Sequence, residues 1–132
     1  MSEIPHITVV DDDESVREAI KSLIRSVGLG AEVFASAEDF LNSGNLHETA
    51  CLILDVRMPG MSGLELQQRL AADNYSIPII FVTAHASDRE ARARALQLGA
   101  VDFLFKPFSE EALLNDVYKV LGSGGGGAER SS

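Results

Sequence analysis

Cys51-Leu52-Ile53-Leu54-Asp55-Val56-Arg57-Met58-Pro59-Gly60-Met61-Ser62-Gly63 is the stretch on which the reading of this chain turns. An apolar run ends in one carboxylate, and a turn rich in proline and glycine follows. Such a run predicts a strand covered on both faces, as in a parallel sheet. An acid at its end lies at the carboxyl edge of the sheet, where open α/β folds hold their ligands. Ser62 and Glu65 have the spacing of a capping box for the next helix. Asp55 stands seven residues before that cap, too far upstream to act as one.

The same unit recurs on either side. His6-Ile7-Thr8-Val9-Val10 is a β-branched run that stops at Asp11, Asp12 and Asp13. Val16, Ala19, Ile20, Leu23, Ile24 and Val27 then fall at spacings of three and four, which predicts a helix. Ser15 with Glu18 reads as its capping box, and Gly28 and Gly30 end it. Ala31–Ala35 predicts a short edge strand. Ser36 caps a short helix through Leu41, and Asn42–Asn45 finish it. The opening stretch supplies a strand from about Ala50 to Leu54, and Leu64, Leu66 and Leu70 give the helix after it an apolar side.

Ile77–Thr83 is a further apolar strand, with Pro78 tolerable near its start. Ser87 and Glu90 cap a helix through Leu98 that Gly99 stops. Val101–Phe105 is the last strand, and Ser109-Glu110-Glu111 opens a helix to Leu121 with acids in its first turn. Strand and helix alternate five times, which predicts an α/β fold with helices on both faces of a parallel sheet. Residues 1–121 read as one domain, and Gly122–Ser132 as a flexible Gly/Ser-rich tail.

Composition narrows the function. With 20 acids against 11 bases the formal net charge is −9, so this domain is not built to grip nucleic acid directly. That balance suits a divalent cation or a basic protein partner. No apolar run is long enough to cross a membrane, and Met1–Pro5 shows no basic-then-apolar leader. The single cysteine, Cys51, lies inside the buried run and reads as a core residue. The expectation is a cytoplasmic domain without membrane contact.

Four of the five strands end in polar groups that a parallel sheet brings to one edge: Asp11 and Asp12, Asp55, Thr83 and Lys106. Each has two readings. Asp11 and Asp12 are either helix-start acids or, because clustered carboxylates repel, oxygen ligands for Mg²⁺. Asp13, one residue further on, reads as a solvated or capping acid. Asp55 reads as a carboxylate nucleophile toward phosphorus, with the metal offsetting charge. Thr83 is either a β-branched strand residue or a hydroxyl donor to a phosphoryl oxygen. Lys106 is either a surface lysine or a point charge for an anion. The bond to Pro107 is a candidate cis peptide that aims the lysine inward.

Together Val10-Asp11-Asp12, Leu54-Asp55-Val56-Arg57-Met58-Pro59-Gly60-Met61-Ser62-Gly63, Val82-Thr83-Ala84 and Lys106-Pro107-Phe108 resemble the receiver domain of two-component response regulators. The resemblance covers residues 5 to 121. The wording around Gly63 and Gly99 is most similar to the nitrogen-fixation and LuxR-type regulator branch. It implies a flavodoxin-like (βα)5 three-layer sandwich with strand order 2-1-3-4-5. It also implies that a sensor histidine kinase phosphorylates Asp55, with Mg²⁺ held by Asp11, Asp12, Asp55 and the Arg57 carbonyl. Thr83, Lys106 and the Ala84 amide would contact the phosphoryl oxygens. Phe103 falls at the aromatic switch position, though ordinary core packing is its other reading. Arg57 and His85 fall at positions expected to tune the phosphoryl lifetime.

The function so implied is a phosphorylation-gated signalling module that catalyses only its own phosphorylation and dephosphorylation. Its output surface would be formed by the last two helices and the last strand, with homodimerisation on phosphorylation and an output domain or partner outside this chain. A stand-alone phosphate sink or relay is the alternative. A dehalogenase-type Mg²⁺ phosphatase is a third reading, opposed by Arg57 where that chemistry needs a second acid.

Overall fold

The structure is a computed structural model that describes residues 4–44, 46–84 and 89–124. Five strands, β1 (His6–Val10), β2 (Gly30–Phe34), β3 (Thr49–Asp55), β4 (Ile79–Thr83) and β5 (Asp102–Phe105), form one parallel sheet. Its order is β2-β1-β3-β4-β5, as the resemblance implied. The helices are α1 (Glu14–Ser26), α2 (Ala37–Leu41), α3 (Gly63–Ala72), α4 (Arg89–Gln97) and α5 (Glu110–Gly124).

The period of two along the inner strands sorts the core into two layers. Leu52, Leu54, Phe81 and Phe103 face Phe40 of α2, Leu66 and Leu70 of α3 and Ala95 of α4. Cys51, Ile53, Ile80 and Val82 face Ile20 and Ile24 of α1 and Leu113 and Val117 of α5. Cys51 is fully buried, and burial first, then nearby Asp116, pushes its thiol up to about 12. It is a core residue. No helix among the described residues is long and apolar enough to cross a membrane.

Several boundaries differ from expectation. The cap of α1 is Asp13, whose Oδ1 accepts from the Ser15 amide at 2.9 Å and the Val16 amide at 3.4 Å. Ser15 cannot cap because its hydroxyl donates to that same oxygen at 2.7 Å, and Glu18 pairs with Lys21. Gly28, at φ +85°, follows the cap Val27 as expected, but Gly30 belongs to β2, where it pairs with His6. β4 begins at Ile79, because Pro78 has no N–H; its carbonyl still accepts from Leu52 at 2.9 Å.

β3 starts earlier, at Thr49, whose hydroxyl bonds that of Thr8 at 2.9 Å, after a 3-10 turn at Leu46–Glu48 that the sequence did not suggest. β5 begins at Asp102, one residue later than expected. α5 runs to Gly124, three residues past the expected Leu121 and into the stretch expected to be tail. The Ser36 cap and the Ser62–Glu65 capping box are present. Ser87 lies outside the described residues, so the cap expected for α4 does too.

Candidate functional site

Sheet register turns a shared edge into a shared site. Val10 pairs with Leu54, so Asp11 follows beside Asp55. Asp55 pairs with Val82, and Thr83 with Phe105, which carries Thr83 and then Lys106 to the same place. The ladders extend one step beyond the strands: Val56 N–H donates to the Val82 carbonyl at 3.3 Å, and Lys106 N–H to that of Thr83 at 2.7 Å.

Asp11, Asp12 and Asp55 each offer a carboxylate oxygen, and these oxygens lie within 4.8 Å of one another. Asp11 is fully buried, Asp55 is 6% exposed, and Asp12 faces solvent. Both Asp11 oxygens are engaged. Oδ2 accepts from Lys106 Nζ at 2.9 Å, and Oδ1 accepts from the Asp13 amide at 2.9 Å. The Arg17 guanidinium donates to the Asp11 carbonyl at 2.8 Å and braces the loop. Asp13 is the capping member and serves α1 instead.

Asp55 Oδ1 accepts a long bond, 3.4 Å, from the Arg57 amide. Burial pushes its carboxyl up to about 7, Asp11 adds to the rise, and Lys106 and the Arg57 amide oppose it. A buried acid raised by packing and by its neighbours is short of positive charge. Carboxylate oxygens, with one acid open to water, are the donors that Mg²⁺ takes, so the residues fit that ion.

Thr83 is fully buried and closes β4, and Ala84 behind it is exposed. The Lys106–Pro107 peptide is cis. Phe103 is inward, 4% exposed, with its ring centroid 5.8 Å from that of Phe81 and 5.5 Å from that of Phe105. Arg57 faces solvent, and His85 lies outside the described residues. A cleft of 530 Å³ lined by Tyr75, Ile77 and Leu98 touches none of these groups.

Two supporting residues escaped the sequence reading. A Cβ on Gly63 would run into the Asp55 carbonyl, so only glycine lets α3 start directly beneath the acid. Glu38 of α2 accepts from the Met61 amide at 2.9 Å and holds the β3–α3 loop from outside. As a first-turn acid Glu38 carried no signal of that reach. Gly63 follows the cap at an ordinary backbone angle, so nothing in its sequence surroundings required glycine.

Comparison with known proteins gives one consistent answer. The family model for the response regulator receiver domain matches residues 7–118. Response regulator protein TodT of Pseudomonas putida is 50% identical over 115 residues, which is 87% of this chain and 50% of that protein. Transcriptional regulatory protein FixJ of Bradyrhizobium diazoefficiens is 41% identical over 108 residues, 82% of this chain and 52% of FixJ. Among solved structures, response regulator StyR superposes with a TM-score of 0.83 at 48% identity, covering 90% of this chain and 60% of StyR. The FixJ amino-terminal fragment gives 0.78 at 32%, covering 91% of this chain and 94% of the fragment. The chain spans about half the length of the curated relatives it matches.

Proposed function

The chain belongs to the response regulator receiver domain family and acts in two-component signalling, and from that premise we propose that Asp55 is its phosphoacceptor. The observation that carries this reading is the convergence of Asp11, Asp12, Asp55, Thr83 and Lys106 through sheet register alone. An Asp55 oxygen attacks the phosphorus of a phosphohistidine on a sensor kinase. The O–P bond forms as the P–N bond breaks, and the imidazole leaves with the bonding pair and takes up a proton.

Asp11, Asp12, Asp55 and the Arg57 carbonyl would hold Mg²⁺, which when bound would supply positive charge to the acids and the phosphoryl oxygens. Lys106 turns from Asp11 toward a phosphoryl oxygen, and the Thr83 hydroxyl and Ala84 amide donate to the others. Arg57 and His85 flank the group and tune its lifetime. Phe103 then reports the event. Its inward packing beside Phe81 is one state of an equilibrium that a shift of Thr83 biases. The domain catalyses only the making and breaking of its own acyl phosphate.

The face of α4, β5 and α5 passes the change to an output domain or partner, with homodimerisation on phosphorylation. A chain serving a histidine kinase this way works in the cytoplasm. Relatives twice as long favour this output reading over a free-standing phosphate sink. The phosphatase reading is set aside, since the family match and the exposed Arg57 two residues after Asp55 both oppose it. Acetyl phosphate with Mg²⁺ should give one phosphoryl adduct by mass spectrometry, absent in Asp55→Asn. An unmodified wild-type chain overturns the assignment.

A further inference from the structure

A second pair of acids lies away from this site, where α5 packs on β5. Asp102 opens β5, and Asp116 sits on the inner side of α5 with buried Leu113, Val117 and Val120. Asp116 is 5% exposed, and its carboxyl lies close enough to that of Asp102 for the two to share a proton. Asp102 Oδ1 also accepts from the Phe103 amide at 2.7 Å. Two carboxylates have no hydrogen to share, so their contact requires a proton. Asp102, half-buried and already accepting an N–H, holds the charge. Asp116 holds the proton and donates it. Its Oδ2 is buried and accepts from no N–H or O–H donor among the described residues, which a protonated carboxyl tolerates far better than an ionised one.

We propose that Asp116 and Asp102 form a proton-binding clasp that fastens α5 to β5, so that one bound proton sets how firmly this face is held. The groups around the pair are the Cys51 thiol of β3, Lys119 one turn along α5, and Arg92 of α4. Burial first, then Asp102, pushes Asp116 up to about 7, while the bond from Asp116 holds Asp102 below its ordinary value. The solvated acid of an open α5 titrates near its ordinary 3.8. Between those two values opening α5 releases a proton, so opening becomes easier by about tenfold per pH unit at most. Above about 7 the closed clasp is itself ionised and the dependence ends. The clasp stands whether or not Asp55 is the phosphoacceptor, because neither acid touches that site. Only its bearing on output rests on that reading.

Carbon-13 NMR of the side-chain carboxyls in the unaltered chain, with Mg²⁺ present, tests the clasp directly. Asp116 should titrate with a midpoint of about 7, against 3.8 for a free aspartate. A midpoint in the ordinary carboxylate range overturns the proposal. The second arm measures protection factors of α5 amides across the mildly acidic to neutral range. They should fall severalfold per pH unit in the wild type and stay level in Asp116→Asn, which keeps a donor for Asp102 but cannot titrate. Asp102→Asn should lower the Asp116 midpoint and narrow the pH range of the slope without abolishing it, because burial still raises the acid. Equal slopes in wild type and Asp116→Asn also overturn the proposal.

Discussion

At the carboxyl edge of the sheet Asp11, Asp12 and Asp55 crowd around Lys106 with one acid open to solvent, whereas Asp102 and Asp116 meet under α5 with the deeper acid closed off. Both groups contain an acid raised to about 7, and burial is the largest cause in each. They differ in how the charge is relieved. The open cluster takes a cation, from Lys106 or from solution, and leaves Asp55 available as a nucleophile. The closed pair takes a proton, which ties up both acids and leaves nothing for chemistry. Access to solvent decides between reactive acids and fastening ones.

The contrast breaks most sharply on phosphorylation. Asp55→Asn should abolish the acetyl phosphate adduct, while Asp116→Asn should leave its yield within about twofold, since a clasp residue is remote from the transferred group. A large loss of adduct in Asp116→Asn would merge the two groups into one functional unit.

Next in size is the cation's part. Lys106→Met leaves the buried Asp11 carboxylate without its charge partner, and the metal-free domain should lose about 3 kcal/mol in urea unfolding. Millimolar Mg²⁺ should recover much of that loss by supplying the missing charge. No recovery would mean that the open cluster is not relieved by a cation from solution.

The closed pair gives a smaller, pH-signed effect. Asp116 binds its proton more tightly folded than unfolded, so the stability linked to it is greatest in acid and declines as pH rises from 3.8 toward 7. A rise from 3.8 to about 7 corresponds to roughly 4 kcal/mol, of which the opposite movement of Asp102 offsets a part. With Mg²⁺ present throughout, Asp116→Asn should therefore be more stable than wild type by on the order of 2 kcal/mol above neutral pH. The two should converge in mild acid, well below the folded midpoint of about 7. A constant difference across that range would remove the proton from the account.

The finest test is Lys119→Gln. Lys119 opposes the rise of Asp116 from the exposed side of α5, so its loss should raise the Asp116 midpoint by ~0.3 in pH, read by the same NMR titration. A downward movement would put Lys119 outside the pair's field.

Much of this molecule was legible in the chain itself. Uninterrupted apolar runs marked β3 and β4 as interior strands, because burial on both faces leaves no polar period. The Ser62–Glu65 capping box, the glycine stops and the strand-end acids are local signals, and they suffice to place Asp55, Asp11, Thr83 and Lys106 at one edge. Local signals erred where two residues compete for one role. Asp13 displaced Ser15 as cap by accepting the serine's own hydroxyl, and Gly30 joined β2 because His6 was there to pair with it.

What only the tertiary structure decided was which distant groups meet. Register made neighbours of Asp11 and Asp55, and packing brought Glu38 to the Met61 amide, Gly63 beneath the Asp55 carbonyl and Asp116 against Asp102. Periodicity records the burial of a face, not its partner. An acid on an apolar helix face looks like an interruption until the opposite strand supplies its proton acceptor.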